Sequence, residues 1–542
     1  MNKVWLVFVC LRLTLVLLPH NAYIHPDEFF QNSEIVAGDL FDINVYRSWE
    51  WKSQQPIRTC IFPYLTSGPA FVLLKVFPQL ISSYTLYVMP RLVMFLFSFI
   101  FDYIMYKLSH LLHINTKLSL NLLSSSYVML VFYTRLFSNT LESILFFILL
   151  YVILKSTLSM RQHTHKSVSH FYSCIFHLSV IIVIGVFVRV TFLSFAVFPV
   201  LYWLYHIKLN YSLHTVLKCM ISFIPTIVIV TLLCTVIDSL YYGFITFEHL
   251  FSLKGLTHLF SSSELLNHFT VTPLNFLQYN LDVSNLSEHT LHPYITHILV
   301  NTPLLFLPLL WSILVLFFQK YKKIRDNFNV FLISSIVVPL FILSLAPHQE
   351  PRFLMPLLCP FVLLFCKMET RLSHGFKVSW IVWNLLGSLM FGVVHQGGLL
   401  PSMIYLDSIQ HSSQTMCHYI FFHTYMPPRH ILSASQIQNS TNQITVHDLM
   451  HGEDLLLFNK LDRLVPLDDS LVYVVSPSSL HHLFCHKKGM YNFQLISQFY
   501  PHLTVEDIPD YHMPDKCNQD ESDTFNFIKK YFSMNVYKIS LD

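Results

Sequence analysis

The sequence predicts an all-α polytopic membrane protein with about 11 transmembrane helices and a small C-terminal mixed α/β domain. Three observations carry this. Hydrophobic residues make up 53% of the 542 residues and charged residues only 12%, against about 25% charged in a soluble domain. The chain therefore lacks the polar surface that water would have to cover. Apolar runs long enough for a bilayer, ~20 residues each, recur as far as 395, and beyond 396 they stop.

The expected spans are 2–19, 90–106, 119–134, 138–155, 171–188, 190–206, 216–237, 302–318, 327–346, 353–367 and 378–395. Val4–Leu18 has the length of a signal peptide, but Pro19-His20-Asn21-Ala22 is a poor cleavage site, so it reads as an uncleaved first span. The stretch 69–86 is apolar but carries Lys75 and Pro78, and is expected to be interfacial or re-entrant. Lys and Arg in short loops favour the cytoplasm. The strongest marks are Lys320, Lys322, Lys323 and Arg325, then Lys367, Arg371 and Lys377, then Arg161 and Lys166. With these in the cytosol, the loops 20–89, 238–301 and 347–352 and the whole tail face the lumen, while Lys107 and Lys117 fall in the cytosol.

Residues 1–396 are thus expected to form the transmembrane domain, with 20–89 as its first luminal loop, and 397–542 a luminal domain. In that tail Leu471–Val475 reads as a strand and Ser476-Pro477 as a turn. Asn-x-Ser/Thr acceptors stand at Asn210, Asn285 and Asn439, and the topology puts only the last two in the lumen.

Composition also excludes classes. A net charge of +3 gives no basic face for nucleic acid. The 10 Cys include no CxxC pair. Cys417, Cys485 and Cys517 lie in the polar tail, where an oxidising lumen would permit one disulfide. His481, His482, Cys485 and His486 are the right ligand types, but structural zinc draws ligand pairs from two separated segments and no second pair is visible. No metal is expected.

The chemistry-bearing residues cluster at predicted luminal ends. His25-Pro26-Asp27-Glu28-Phe29-Phe30-Gln31 follows the first span. Adjacent acids point in different directions, so one can face a reacting centre while the other holds backbone or a helix end. Pro at a first helical position with acids in the first turn is also an ordinary helix start, and the two readings are compatible. The same loop continues through Arg47, Trp49, Glu50, Trp51 and Arg58. The tryptophans read as interface anchors, and Arg58 as a phosphate partner. Pro347-His348-Gln349-Glu350-Pro351-Arg352-Phe353 places three ionisable groups in one short turn between apolar segments. Arg189 sits where the 171–206 run turns. Arg135, Asn139 and Glu142 form a similar polar turn, suited to pairing between spans.

His25 to Gln31 resembles the first-loop motif of the dolichyl-phosphate-mannose-dependent mannosyltransferases of GT-C fold. Trp49-Glu50-Trp51 with Pro56 to Thr59, Arg135 to Glu142, Asp238 to Gly243, Thr272 to Asn275, Tyr279-Asn280 and His348 to Phe353 resemble further blocks of that family, in family order. Gln349-Glu350-Pro351, Val394 to Pro401, Arg189 to Phe192, Phe422 to Pro428 and Pro501 to Asp507 are similar to the branch that adds a fourth, α-1,2-linked mannose to a GPI precursor. The enzymes adding the third mannose share the His-Pro-Asp-Glu start and are the alternative.

The resemblance implies an enzyme of the endoplasmic reticulum membrane, active on its luminal side. Its donor would be dolichyl phosphate mannose and its acceptor a GPI glycolipid. A β-linked donor and an α-linked product require one inverting displacement, hence a carboxylate near the acceptor hydroxyl. Asp27 is the expected base and Glu28 its orienting partner or an acceptor ligand. The leaving phosphate needs positive charge or hydrogen-bond donors. Arg352, His348, Arg58 and Arg189 are the candidates in that order, with His25 and Glu350 completing the substrate-binding set. A lipid phosphate needs no metal clamp, so no cofactor is expected. A membrane transporter is the rival of another class, although no repeated halves are visible and the polar clusters fall at luminal ends rather than at midplane.

Overall fold

The computed structural model describes residues 2–18, 22–52, 54–161, 168–248, 268–282, 285, 291–319, 326–409, 416–438, 444–466, 470–486, 491–504 and 531–541. Among these, eight helices are long and apolar enough to cross a membrane. They are α1 Ser83–Leu111, α2 Ser138–Met160, α3 Phe192–Asn210, α4 Leu213–Tyr241, α5 His297–Gln319, α6 Asn327–Ser344, α7 Pro351–Met368 and α8 His374–Val394. The protein is a multi-pass membrane protein.

Of the eleven expected spans, three correspond to shorter pieces among the described residues. The first run forms a helix of only 15 residues, Lys3–Leu17. The 119–134 run breaks at Ser126, whose backbone is extended, leaving the helix Thr116–Ser125 and a π turn Val128–Phe132. The apolar part of the third is Tyr172–Val188. The 69–86 stretch is not one helix: Gly68–Val76 ends at Phe77, a 3-10 turn covers Pro78–Leu80, and α1 begins at Ser83. Proline at 78 cannot donate the hydrogen bond that would carry the helix on. The basic loop Lys320 to Arg325, Lys166 and Asn439 lie outside the described residues.

The chain divides into two compact units. The first comprises Met1–Leu11, Arg47–Leu65 and Phe95–Asn384, and the second Arg12–Tyr46, Thr66–Met94 and Leu385–Asp542. In the first unit α7 is the inner helix, with Leu357 to Cys366 buried without a break. Its Met355 carbonyl accepts the Tyr133 hydroxyl at 2.7 Å, and Tyr133 stacks on Phe101 at 4.0 Å. Phe361 packs on Phe306 of α5 and Phe365 on Phe376 of α8. By contrast α4 leaves Ile221, Ile229, Leu232 and Leu233 more than half exposed. An apolar face of that extent is stable in lipid and unusual in water.

In the second unit Val36, Phe71, Leu74, Leu86 and Ala434 form one apolar cluster around the helix Glu34–Phe41. The tail forms the expected small mixed domain, a five-stranded sheet. Its strands are β1 Met416–Phe421, β2 Ile444–Asp448, β3 Ser470–Pro477, β4 Tyr491–Phe499 and β5 Met534–Leu541. The order is β2-β1-β3-β5-β4, with β1 parallel to β2 and β3, and β5 antiparallel to β3 and β4. Parallel pairs need a crossover, and the helix Asp454–Leu464 supplies one, burying Leu457, Phe458, Leu461 and Leu464. Cys417 is buried in β1, and Cys517 and the Cys485 side chain lie outside the described residues.

Candidate active site

The acid pair opens a helix. Asp27 and Glu28 occupy its first turn after Pro26, with the Glu28 and Phe29 amides donating to the His25 and Pro26 carbonyls. A π turn, Phe29–Ser33, then leads into Glu34–Phe41. The two acids meet opposite fates. The Asp27 side chain is 23% exposed, and the His25 Nδ1 accepts the Asp27 amide at 3.1 Å while lying 3.4 Å from its carboxylate. Glu28 is fully buried. Its Oε1 accepts from Arg91 Nε at 2.8 Å and lies 2.5 Å from Nη2, and the same guanidinium donates to the Tyr87 hydroxyl. Of the two, only Asp27 keeps part of its side chain exposed. Asn32, one turn on, donates to Thr66 Oγ1 at 2.8 Å and accepts from Ser67, tying the helix to the rest of its loop. Burial, with Glu28 and Glu34 adding, pushes the Tyr23 phenol well above its usual value, so it donates to the Met426 carbonyl at 2.9 Å.

The first unit gathers the basic residues. In the late turn Glu350 bridges two partners: His348 Nε2 lies 2.7 Å from its Oε1, and Arg352 donates through Nε to Oε2 and through Nη2 to Oε1 at 3.0 Å. Gln349 points inward. Its Oε1 accepts the His297 amide at 2.8 Å and its Nε2 donates to the Ser344 and Ala346 carbonyls, both at 3.0 Å. That lock fixes the turn on the start of α5 and the end of α6. The Phe353 ring carries Arg189 at 4.9 Å on its centroid and Arg352 at 5.6 Å, so the two guanidinium groups share one aromatic ring. Arg189 also donates to Ser138 Oγ at 2.9 Å and lies 3.5 Å from the buried Glu142, which Asn139 and Thr191 hydrogen-bond.

Arg58 forks onto Glu50 Oε1, at 2.9 Å from Nε and 2.6 Å from Nη2. Arg58 and Arg189 line one small cavity with Thr191, Ile57 and Pro273. The sequence blocks around Arg58 are knit to one another. Asp238 accepts from Thr59 Oγ1 at 2.9 Å, the Cys60 amide at 3.0 Å and Thr272 Oγ1 at 2.9 Å. Asn275 donates to the Pro56 carbonyl at 2.9 Å, and the Tyr242 hydroxyl to the Arg58 carbonyl at 2.6 Å. Trp49 stacks on Tyr279 at 4.2 Å, and the buried Trp51 packs on Tyr241 and Tyr242. Both tryptophans therefore pack within this knot, a use the interface-anchor reading did not foresee.

The sequence-predicted residues thus form two sets. His25, Asp27 and Glu28 lie together in the second unit; Arg58, Arg189, His348, Glu350 and Arg352 lie together in the first. Arg91 and Tyr87 were missed. Their signal was an arginine four residues after a tyrosine at the start of an apolar run, where an ionisable group needs a partner. Among the described residues no three His, Cys, Asp or Glu side chains are grouped as metal ligands. His481 Nδ1 lies 2.7 Å from the Tyr537 hydroxyl, and the side chains of His482, Cys485 and His486 lie outside the described residues.

A partly exposed carboxylate beside a buried one, arginines gathered on an aromatic ring and a multi-pass helical body suit group transfer from a lipid-borne donor. Residues 3–433 match the Alg9-like mannosyltransferase family, and the chain belongs to that family. Membership makes it a glycosyltransferase rather than a transporter. It is similar to the Homo sapiens protein named GPI alpha-1,2-mannosyltransferase 4, at 33% identity over 92% of this chain and 88% of that protein. It is also similar to proteins named GPI mannosyltransferase 4 from Drosophila melanogaster, at 29% identity over 95% of this chain and 87% of that one. The Saccharomyces cerevisiae protein of that name is 29% identical over 84% and 80%. Among solved structures, ArnT from Cupriavidus metallidurans bound to undecaprenyl phosphate aligns with 91% of this chain and 96% of that one, at 10% identity and a TM-score of 0.45, a level that carries no argument.

Proposed function

We propose that this protein adds the fourth mannose of a GPI precursor, in α-1,2 linkage, taking it from dolichyl phosphate mannose on the luminal side of the endoplasmic reticulum membrane, and that its helical body is of GT-C type. The observation that carries the reading is the likeness to GPI mannosyltransferases 4, which extends over nine-tenths of the chain for the human relative.

The chemistry of the side chains supports the following roles. Asp27, the partly exposed acid, takes the proton from the acceptor's 2-hydroxyl as that oxygen attacks the anomeric carbon. The bond from that carbon to the phosphate oxygen breaks on the opposite face, so the β-linked donor gives an α-linked product. The electron pair leaves on dolichyl phosphate. Arg352, already desolvated and aimed by Glu350, donates to that phosphate, with Arg189, Arg58 and His348 adding positive charge and donors. Glu28 orients the first turn through Arg91 rather than touching the acceptor. His25 holds the Asp27 amide. With the phosphate met by side chains, the reaction needs no metal cofactor.

Microsomes from cells expressing the chain should transfer radiolabelled mannose from dolichyl phosphate mannose to a three-mannose GPI precursor, giving a product cleaved by an α-1,2-mannosidase. Transfer only to a two-mannose precursor would reassign the protein to the third step. No transfer to either would sink the acceptor assignment.

A further inference from the structure

Glu34 has no part in the reaction drawn above, yet it is a fully buried acid of the second unit with every acceptor direction filled. Its side chain has no exposed surface. Oε1 accepts the Tyr46 amide at 3.2 Å and the Arg429 amide at 3.0 Å. Oε2 accepts the His430 amide at 3.1 Å and the His430 Nδ1–H at 2.5 Å. An ionised carboxylate has about four acceptor directions, and all are used. The imidazole of His430, itself buried, lies 6.1 Å from the rings of both Phe29 and Phe71.

These contacts bracket Asp27. On its C-terminal side, the Glu34 amide closes the π turn on the Phe29 carbonyl, while the Glu34 side chain is fixed by Arg429 and His430. On its N-terminal side, Tyr23 donates its amide to the His395 carbonyl at 3.0 Å and its hydroxyl to Met426. The Tyr23 ring meets Phe29 at 5.0 Å and Tyr425 at 5.5 Å, both edge-on. A π turn is a rare, poorly bonded geometry found mostly at functional sites, and it persists only where its surroundings over-determine it. Apolar packing would hold the segment and the helix together at lower cost than a buried acid. What four directed hydrogen bonds add is a fixed angle.

We propose that Glu34 and His430 are positioning residues for Asp27. The segment 425–430, beyond the last membrane helix, is then part of the catalytic framework, and it sets the direction of the Asp27 carboxylate through the π turn. The proposal rests on Asp27 being the base.

The test uses full-length protein in microsomal membranes, with kcat and donor KM measured per folded molecule, the folded amount read by size-exclusion chromatography after solubilisation. Glu34→Gln keeps the shape but presents an amide donor to N–H groups. It should lower kcat by up to about 100-fold, the cost of misplacing a reacting group by an ångström, and leave donor KM unchanged. His430→Leu should do the same. His430→Asn keeps a donor where Nδ1–H stood and should recover much of the loss. Wild-type kcat per folded molecule in Glu34→Gln and His430→Leu overturns the proposal, even if less protein folds. Should Glu34→Gln not fold, equal kcat in His430→Asn and His430→Leu overturns it instead. Asp27→Asn run alongside separates the two readings. Normal turnover there removes the base assignment and the proposal with it, whereas a dead Asp27→Asn beside a normal Glu34→Gln removes only the positioning role.

Discussion

At residue scale the two adjacent acids carry different expectations. Asp27→Asn should cut mannose transfer ~10²–10⁴-fold, the usual worth of a general base, with membrane insertion and donor binding near normal, since the amide keeps the shape but cannot take the proton. Near wild-type turnover would remove Asp27 from the chemistry. Glu28→Gln and Arg91→Leu should instead fail through folding, because each leaves one buried charge without its partner, at a cost of about 3–5 kcal/mol. The melting temperature of the solubilised protein measures this, and the double variant should fall by much less than the two single losses combined. The acid pair itself was legible in the sequence, since His25 to Gln31 is a contiguous motif. Which acid faces out was not. That depends on Arg91, 63 positions away, and no local pattern announces a partner at that distance.

At element scale, legibility followed periodicity and length. Eight spans could be read because ~20 apolar residues in lipid permit little else. The 119–134 run misled because apolarity alone does not reveal a break at Ser126, where the Tyr127 amide bonds the Asn384 side chain instead of continuing a helix. The tail strands could be anticipated from Leu471–Val475, but the order β2-β1-β3-β5-β4 could not, since sheet order is set by long-range pairing. One consequence concerns pH. His418 of β1 and His447 of β2 face each other, Nδ1 to Nε2 at 3.2 Å. Burial first, then Lys460, lowers both, with His418 and Arg429 also acting on His447, which is held down to about 4. Their folded values lie below the unfolded ~6.5, so the unfolded strands bind protons first. The contribution is whole above about pH 6.5 and is lost as pH falls below that, the His447 part as pH falls toward about 4. Asp448, raised by burial, acts in the opposite sense, its cost easing as pH falls through its raised value. With two imidazoles against one carboxyl, hydrogen exchange of β1 and β2, corrected for intrinsic rates, should speed up between about pH 7 and pH 5. His447→Gln should flatten that dependence; an unchanged slope would show that the pair does not govern it.

At the scale of the whole molecule, orientation was read from the basic loops, and the strongest of them, Lys320 to Arg325, lies outside the described residues. Glycosylation tests it directly. Asn285, whose side chain donates to the Tyr279 carbonyl at 3.1 Å, should show a glycosidase-sensitive shift that Asn285→Gln abolishes. Asn210→Gln should change nothing, and a shift there would reverse the arrangement of α3 and α4. The Glu34–His430 contact also has a consequence in time. Its partners are 396 positions apart in the chain. At the ribosome's pace of about 5–20 residues per second, the loop bearing the acids exists for about 20–80 s before the residues that fix it have been made. Through that interval Glu34 has neither His430 nor the Arg429 amide. A chaperone that binds unfinished loops therefore has a window, set by chain length alone, in which the first loop is a client and after which it is not.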